Sequence, residues 1–252
     1  MKYRLTGETI KKNGITLHRI QATKDFAIVC KGDLGGFVES ENNLSHEGDA
    51  WVWDDAEVYG KAQVCGDAWV YDNAKVGGNA KVYGNAKVYG EAQVYGVARV
   101  YGIAQVYNQA WVYGEADVCD NARVCDNAWV WNNAQVFGYA KVYGNAQVYG
   151  DAQVYDEAEV YDKAWVYGIA RVFDNAWVHG EAKVCGNAKV YGDVWVYDKA
   201  KIYGNAEVYG GAEVYNSAQV FGNAKVCGYA EVFENAKVHG NAKVCGNEWV
   251  NY

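Results

Sequence analysis

Four histidines, seven cysteines and a recurring file of aspartates are the residues of this chain whose chemistry could reach beyond packing. Histidine is the usual general base near neutral pH, but it needs a partner to orient it and a pocket that excludes water. His46, in "NLSHEGD" beside Glu47 and Asp49, is the strongest catalytic candidate, with a turn role as the plainer expectation. His18 also lies near the start, while His179 and His239 stand where tyrosine otherwise recurs, with no irregular segment nearby. Those two read as polar members of an aromatic column. No CxxC occurs among the cysteines, which argues for reduced thiols rather than a disulfide framework. Cys227 and Cys245 are 18 apart and would be stacked neighbours within bridging range, with unpaired thiols as the expectation. Asp54, Asp72, Asp126, Asp162 and Asp198 recur at one corner, but Gly90, Gly144 and Gly180 interrupt them. The glycine–aspartate nonapeptide of calcium-binding β-rolls is absent, so turn formation is expected there, and no metal or cofactor. Thr6, Thr9, Thr16 and Thr23 are the only threonines, so no threonine ranks suited to ice exist.

What must position any of these residues is a repeat of six. From Ala50 to Glu248, 34 positions in steps of six are alanine except at Val194 and Glu248. Valine follows two residues after each, with Ile202 the one exception, and an aromatic residue usually comes next. The unit is Ala-x-Val-Tyr-Gly-Asn, written twice without change as "NAKVYGNAKVYG" from Asn79. A valine every six residues makes no helical stripe, and glycine recurs too often for a helix. Alternation instead predicts a four-residue strand, with Ala and Val on one face and x and Tyr on the other. The x column is mostly Lys, Gln, Glu, Arg or Trp, so Ala and Val face inward. Gly, Asp and Asn at the first turn position tolerate a left-handed backbone.

Such short strands cannot stand alone and must stack. Three hexads close a triangular coil of 18 residues, so the 34 hexads predict about eleven coils and a rod on the order of 50 Å long. The expected architecture is an all-β parallel solenoid, residues 50–252, behind a cap formed by residues 1–49. Within the cap, "KYRLTGET" and "ITLHRIQA" should pair around an Asn-Gly turn, and Val38 and Leu44 enter in hexad spacing. Glu248 replaces an inward alanine in the last coil and reads as a terminator against end-to-end stacking.

Positions 18 apart form columns on the three faces. The first carries Tyr71, Tyr89, Tyr107, Tyr143, Tyr161, His179, Tyr197 and Tyr215; the others carry similar aromatic ladders. The ladders read foremost as stabilisers of a thin core, since a neighbouring ring pair contributes about 0.5–1.5 kcal/mol. Tryptophan breaks the symmetry: Trp51, Trp53 and Trp69 cluster on the first face, and Trp177 and Trp195 recur there beside His179. Trp111, Trp129 and Trp131 cluster on the second face, with Trp165 further along. Surface tryptophans mark interfaces, so these nine are the candidate contact residues for another protomer, another protein or a glycan; plain ladder packing is the competing reading. The third face has a net basic x column that suits solvent or a charged partner.

The motif aliphatic-x-x-x-small-x, seen as "VYGNAK", resembles the hexapeptide repeat of left-handed parallel β-helix proteins, many of them acyltransferases. It is similar in particular to bacterial and phage-associated "VYGNARVYGNA" proteins, and "LHRIQATKDF" and "GDLGGFVESENNLSHEGDAWV" resemble their leader. The resemblance implies the left hand of the coil. It also implies, as an alternative function, acyl-CoA-dependent transfer with a histidine base in a cleft built by loops that leave the coils. The unbroken register favours a non-catalytic scaffold. A net charge of −8 gives no reason to expect nucleic acid or anionic membrane as partner, and no apolar run is long enough to span a bilayer. The polar start lacks a secretory apolar region, so the expected location is the cytoplasm.

Overall fold

Most hexads become a two-residue strand, the x residue and valine, followed by a tight corner; Arg171–Phe173 runs to three residues, and Lys189–Gly192 and Glu207–Gly210 to four. The computed structural model describes residues 1–12 and 14–252, which form two units, Met1–Asn121 and Ala122–Tyr252. In the first, Trp69–Val70 lies parallel on Trp51–Val52, and Lys87–Val88 on Trp69–Val70, in register. In the second, Lys141–Val142 follows Arg123–Val124 in the same way, and Glu159–Val160 follows that. Successive hexads occupy three sheets in rotation, so the chain is a three-faced parallel β-solenoid of about twelve turns, one of them supplied by the leader. Among the described residues there is no α-helix.

Most of the strands are shorter than the expected four residues, yet the backbone bonding is not. The x N–H reaches the alanine carbonyl one coil on (Lys87 to Ala104, 2.9 Å), and the aromatic N–H reaches the valine carbonyl (Tyr89 to Val106, 3.0 Å). The second corner residue donates to the first corner residue of the next coil (Glu91 to Asn108, 2.7 Å). Alanine is lost to the strand because its N–H turns back to the carbonyl three residues earlier, as in Ala128 to Cys125 at 3.1 Å. Ala and Val fill the interior with no exposed surface from Ala50 to Ala236, Val194 and Ile202 included.

Every first corner residue from Gly48 to Gly246 has positive φ, as Gly, Asp and Asn predict; Glu234, at φ 56°, is the one residue of another type. At Gly144, φ is 68° and a Cβ would meet the amide of Asp162 at 2.8 Å, whereas Asp162 itself sits at φ 57°. The aspartates gain a bond for this cost in backbone strain. The Asp72 carboxylate accepts from the Gly90 N–H at 3.0 Å, and Asp162 from Gly180 at 3.2 Å. The recurring aspartates are therefore corner pieces. At another corner, Asn187, Asn205, Asn223 and Asn241 link amide to amide at 3.0–3.1 Å.

The leader folds as strands β1 (Tyr3–Lys12) and β2 (Ile15–Ala22), antiparallel from Tyr3↔Ala22 to Lys12↔Ile15. Asn13, half of the expected Asn-Gly turn, lies outside the described residues. Strand β3 (Leu34–Val38) pairs with β2 and then lies parallel on Glu57–Val58, and Leu44 bridges Val64, as the hexad spacing of Val38 and Leu44 requires. Gly35 and Gly36 make the approach possible: a Cβ on Gly36 would lie 2.6 Å from the Ala56 carbonyl oxygen.

The leader also supplies donors to the coil edge. In the body of the solenoid the first corner carbonyl and the alanine carbonyl each receive an N–H from the preceding coil. At one corner Asn43 Nδ2 donates to Gly60 O and Ala62 O at 3.0 and 2.9 Å. At the next, Lys2 Nζ donates to Gly48 O and Ala50 O at 3.2 and 2.7 Å. At the third, Arg19 Nη1 reaches Asp54 O at 3.0 Å while the Phe37 N–H serves Ala56 O at 2.8 Å. Lys2 and Asn43 are both buried, and both were illegible as caps in the sequence.

Candidate functional site

The aromatic columns are face-to-face ladders. Tyr71, Tyr89 and Tyr107 stack at 4.7 and 4.9 Å in the first unit. In the second, Tyr143, Tyr161, His179, Tyr197 and Tyr215 stack at 4.7–5.3 Å. The phenols do more than reach water. Tyr143 donates to Glu159 (2.9 Å), Tyr197 to Glu213 (3.1 Å), Tyr215 to Glu231 (2.9 Å) and Tyr203 to Gln219 (3.1 Å). Each acceptor lies 16 residues on, the spacing that joins a tyrosine to the x residue of the next coil. That signal, Glu or Gln at Tyr plus 16, is present in the sequence. Burial pushes the Tyr143 and Tyr197 phenols up, and those of Tyr71 and Tyr215 to about 12.

Gly77 interrupts one ladder in the first unit, and Tyr59 and Tyr95 lean across it, hydroxyl to hydroxyl at 3.0 Å. Gly77→Tyr should let three rings stand in register. Two new pairs give about 1–3 kcal/mol against about 1 kcal/mol for the lost hydrogen bond. Urea unfolding should show an unchanged or slightly raised midpoint; a loss beyond 1 kcal/mol would mean the rings cannot rotate upright.

The groups singled out for chemistry are mostly engaged within this framework. His179 stacks between Tyr161 and Tyr197, and burial lowers its pKa despite Asp162 at 3.7 Å. His239 stacks on Phe221 at 5.2 Å. His46 stacks on Tyr3 at 4.4 Å, its Nδ1 accepting the Lys2 backbone N–H at 3.2 Å; it is a cap residue. Burial raises the thiol pKa of Cys65 and Cys119, the opposite of nucleophile activation. Cys227 and Cys245 are joined by a disulfide, against the expectation of free thiols. In-register stacking holds their Cα atoms 4.5 Å apart, which leaves the sulfurs facing each other. Among the described residues no group of three or more His, Cys, Asp or Glu could hold a metal ion.

The third face carries a net basic x column, but much of that charge is satisfied along it. Arg99 grips Asp117 through two nitrogens, and Glu207 sits between Lys189 (3.3 Å) and Lys225 (2.8 Å), which hold its carboxyl below the usual range.

The tryptophans divide. Trp51 has no exposed surface, because Tyr3, Phe26 and Trp53 pack on it at 6.1, 5.3 and 6.4 Å. It is the core of the cap, which corrects its place among surface contact candidates. Trp53 and Trp69 pack edge to face at 6.4 Å, and Lys87 lies over Trp69 at 5.0 Å. Trp111 meets Tyr95 at 6.4 Å in the first unit; Trp131 stacks on Tyr149 at 4.5 Å in the second. Trp129 and Trp195 are each 39% exposed. Trp177 and Trp195 are neighbours at 4.3 Å, with His179 edge-on to Trp195 at 6.1 Å, as the column arithmetic predicts. Trp165 carries the Lys183 ammonium over its ring at 4.4 Å. Glu248 is exposed in the last turn.

Two grooves in the second unit run along these tryptophans. One, of about 410 Å³, is lined by Trp165 with Lys163, Lys183, Lys199 and Lys201. The other, of about 340 Å³, is lined by Trp177 and Trp195 with Glu157, Glu159 and Asp193. Fold and surface together define a β-solenoid scaffold with aromatic ladders. Comparison with protein-family models and with curated proteins gives no match. Among the described residues no helix is long and apolar enough to cross a membrane.

Proposed function

We propose that the protein is a rigid, non-catalytic scaffold whose faces mediate self-association or the binding of another protein, in the cytoplasm and without a cofactor. The observation that carries this reading is where the reactive side chains are used. His179 is held in a ring stack, the phenols are spent on Glu and Gln of the next coil, and the partly exposed tryptophans border grooves on regular faces. A surface of this kind recognises by shape, stacking and charge.

Light scattering after size exclusion, with acetyl-CoA titrated by calorimetry, tests it. The expected result is a particle heavier than one chain that takes up no acetyl-CoA. A trimer binding acetyl-CoA tightly would overturn the proposal in favour of the hexapeptide-repeat acyltransferase that the repeat resembles. Replacing Trp177 and Trp195 with serine should weaken the association at least tenfold if they lie at its centre, as buried tryptophans at interfaces do. An unchanged mass would return both residues to ladder packing.

A further inference from the structure

We infer that the two tryptophan grooves of the second unit are the two halves of one interface, through which copies of this chain associate side by side. The inference rests on the self-association reading above and names its surface and partner.

The grooves occupy equivalent places in the coil. Each is formed by second corner residues and the x residues that follow two positions later, one hexad apart, so they flank adjacent faces. Their charges are opposite. The Trp165 groove has Lys163, Lys183, Lys199 and Lys201 against a single carboxylate, Glu181, a balance of +3. The Trp177–Trp195 groove has Glu157, Glu159 and Asp193 and no basic side chain in its lining; Lys141 pairs with Glu159 at 2.8 Å from the coil before, which leaves a balance of −2. The acidic file continues along the same face through Glu213 and Glu231, each held by a tyrosine hydroxyl. Lys201 and Lys183 follow Trp165 along the neighbouring sheet at the same 18-residue spacing. Both charge rows therefore share the coil repeat, and parallel alignment of two copies can bring several opposite charges into register together. Trp195, in the last of the three coils that line the acidic groove, is 39% exposed and offers apolar area and a π face to lysine. Lys183 already lies over Trp165 within the chain at 4.4 Å, so the same pairing recurs in the basic groove.

A single copy presents both halves on different faces. The contact is heterologous: each chain offers its basic groove to one neighbour and its acidic groove to another, which builds a ring or an open array. Such a contact is steered by charge and weakens as salt shortens the Debye length from about 8 Å at 0.15 M to about 3 Å at 1 M.

The test uses full-length chain and two charge-reversed variants. One carries Lys183→Glu, Lys199→Glu and Lys201→Glu; the other carries Glu157→Lys and Asp193→Lys. All these sites face outward from the coil, and circular dichroism checks the fold of each variant. By sedimentation velocity at low salt the wild type should be an assembly that dissociates on raising salt. Each variant alone should sediment as one chain, with association weakened at least tenfold. An equimolar mixture should reassemble, because the native acidic groove of the first variant meets the native basic groove of the second, and the two reversed grooves are complementary to each other. A wild type that stays a single chain at every salt and concentration overturns both this inference and the self-association arm of the proposed function. Variants that associate as the wild type does overturn only the inference, since another surface then carries the contact. Failure of the mixture to reassemble when both variants are folded single chains also overturns the pairing.

Discussion

Asn43→Ala should unseat the cap and fray the first coil. Its amide nitrogen holds Gly60 O and Ala62 O at 3.0 and 2.9 Å, and its Oδ1 accepts the Ser40 N–H at 2.8 Å. Alanine removes all three bonds and leaves polar groups without partners, the Ala62 carbonyl among buried surroundings. At 1–3 kcal/mol for each buried group so abandoned, the expected loss is about 3 kcal/mol. Solenoids are stabilised coil by coil, so the loss should be local. Hydrogen exchange should accelerate at least tenfold for the amides of Phe37, Glu39 and Ser45, which bond the first coil. Exchange in the second unit should stay as it was. Asn43→Asp retains the shape but presents acceptors to two carbonyl oxygens, and should be at least as damaging. Protection within twofold of wild type in both variants would show that the cap is closed by other means.

The second large effect is loss of the folded state at alkaline pH. Tyr71 and Tyr215 are pushed up to about 12 by burial, and Tyr167 to a similar value by its hydrogen bond to Cys185 and by burial. Tyr143 and Tyr197 are raised further, by burial and by carboxylates that accept their hydroxyl protons. An unfolded tyrosine ionises near 10. The folded chain thus binds more protons than the unfolded one above that pH, and stability must fall as pH rises. The contribution is complete below pH 10 and is lost through about pH 12. Many rings act together, and a phenolate beside Glu159, Glu213 or Glu231 adds like-charge repulsion, so the loss should be cooperative. Tyrosinate absorbance and far-ultraviolet circular dichroism should change in one coincident step. Gradual titration near pH 10 with an unchanged sheet signal would mean the ladders do not shelter their hydroxyls.

Lys2 works in the opposite direction over a lower window. Burial lowers its ammonium to about 8 from 10.5, so the unfolded chain keeps a proton that the folded chain has released. Its effect is a rise in stability between pH 8 and 10.5, strongest in the first coil. Lys2→Met should flatten that rise in hydrogen exchange of the leader while leaving the alkaline loss intact.

The hexad by itself determined the inward Ala and Val, the stacking of positions 18 apart, the left-handed corners, and the entry of Val38 and Leu44 into the first turn. These follow from side-chain alternation and the narrow residue choice at positive φ, both local properties that a strict period repeats without ambiguity. The ladder neighbours of His179 and the pairing of Trp177 with Trp195 were legible for the same reason. Tertiary structure decided the rest. Trp51 shares its column with Trp69 but is buried, because the non-repeating leader folds over it and no period announces where Phe26 and Tyr3 will land. Lys2 and Asn43 become donors to an open sheet edge only once that edge exists in space. The bond between Cys227 and Cys245 depends on coil spacing rather than on any cysteine motif. The opposed charges of the two tryptophan grooves emerge when corner and strand residues, two positions apart in sequence and repeated every 18, are gathered on one side of a turn.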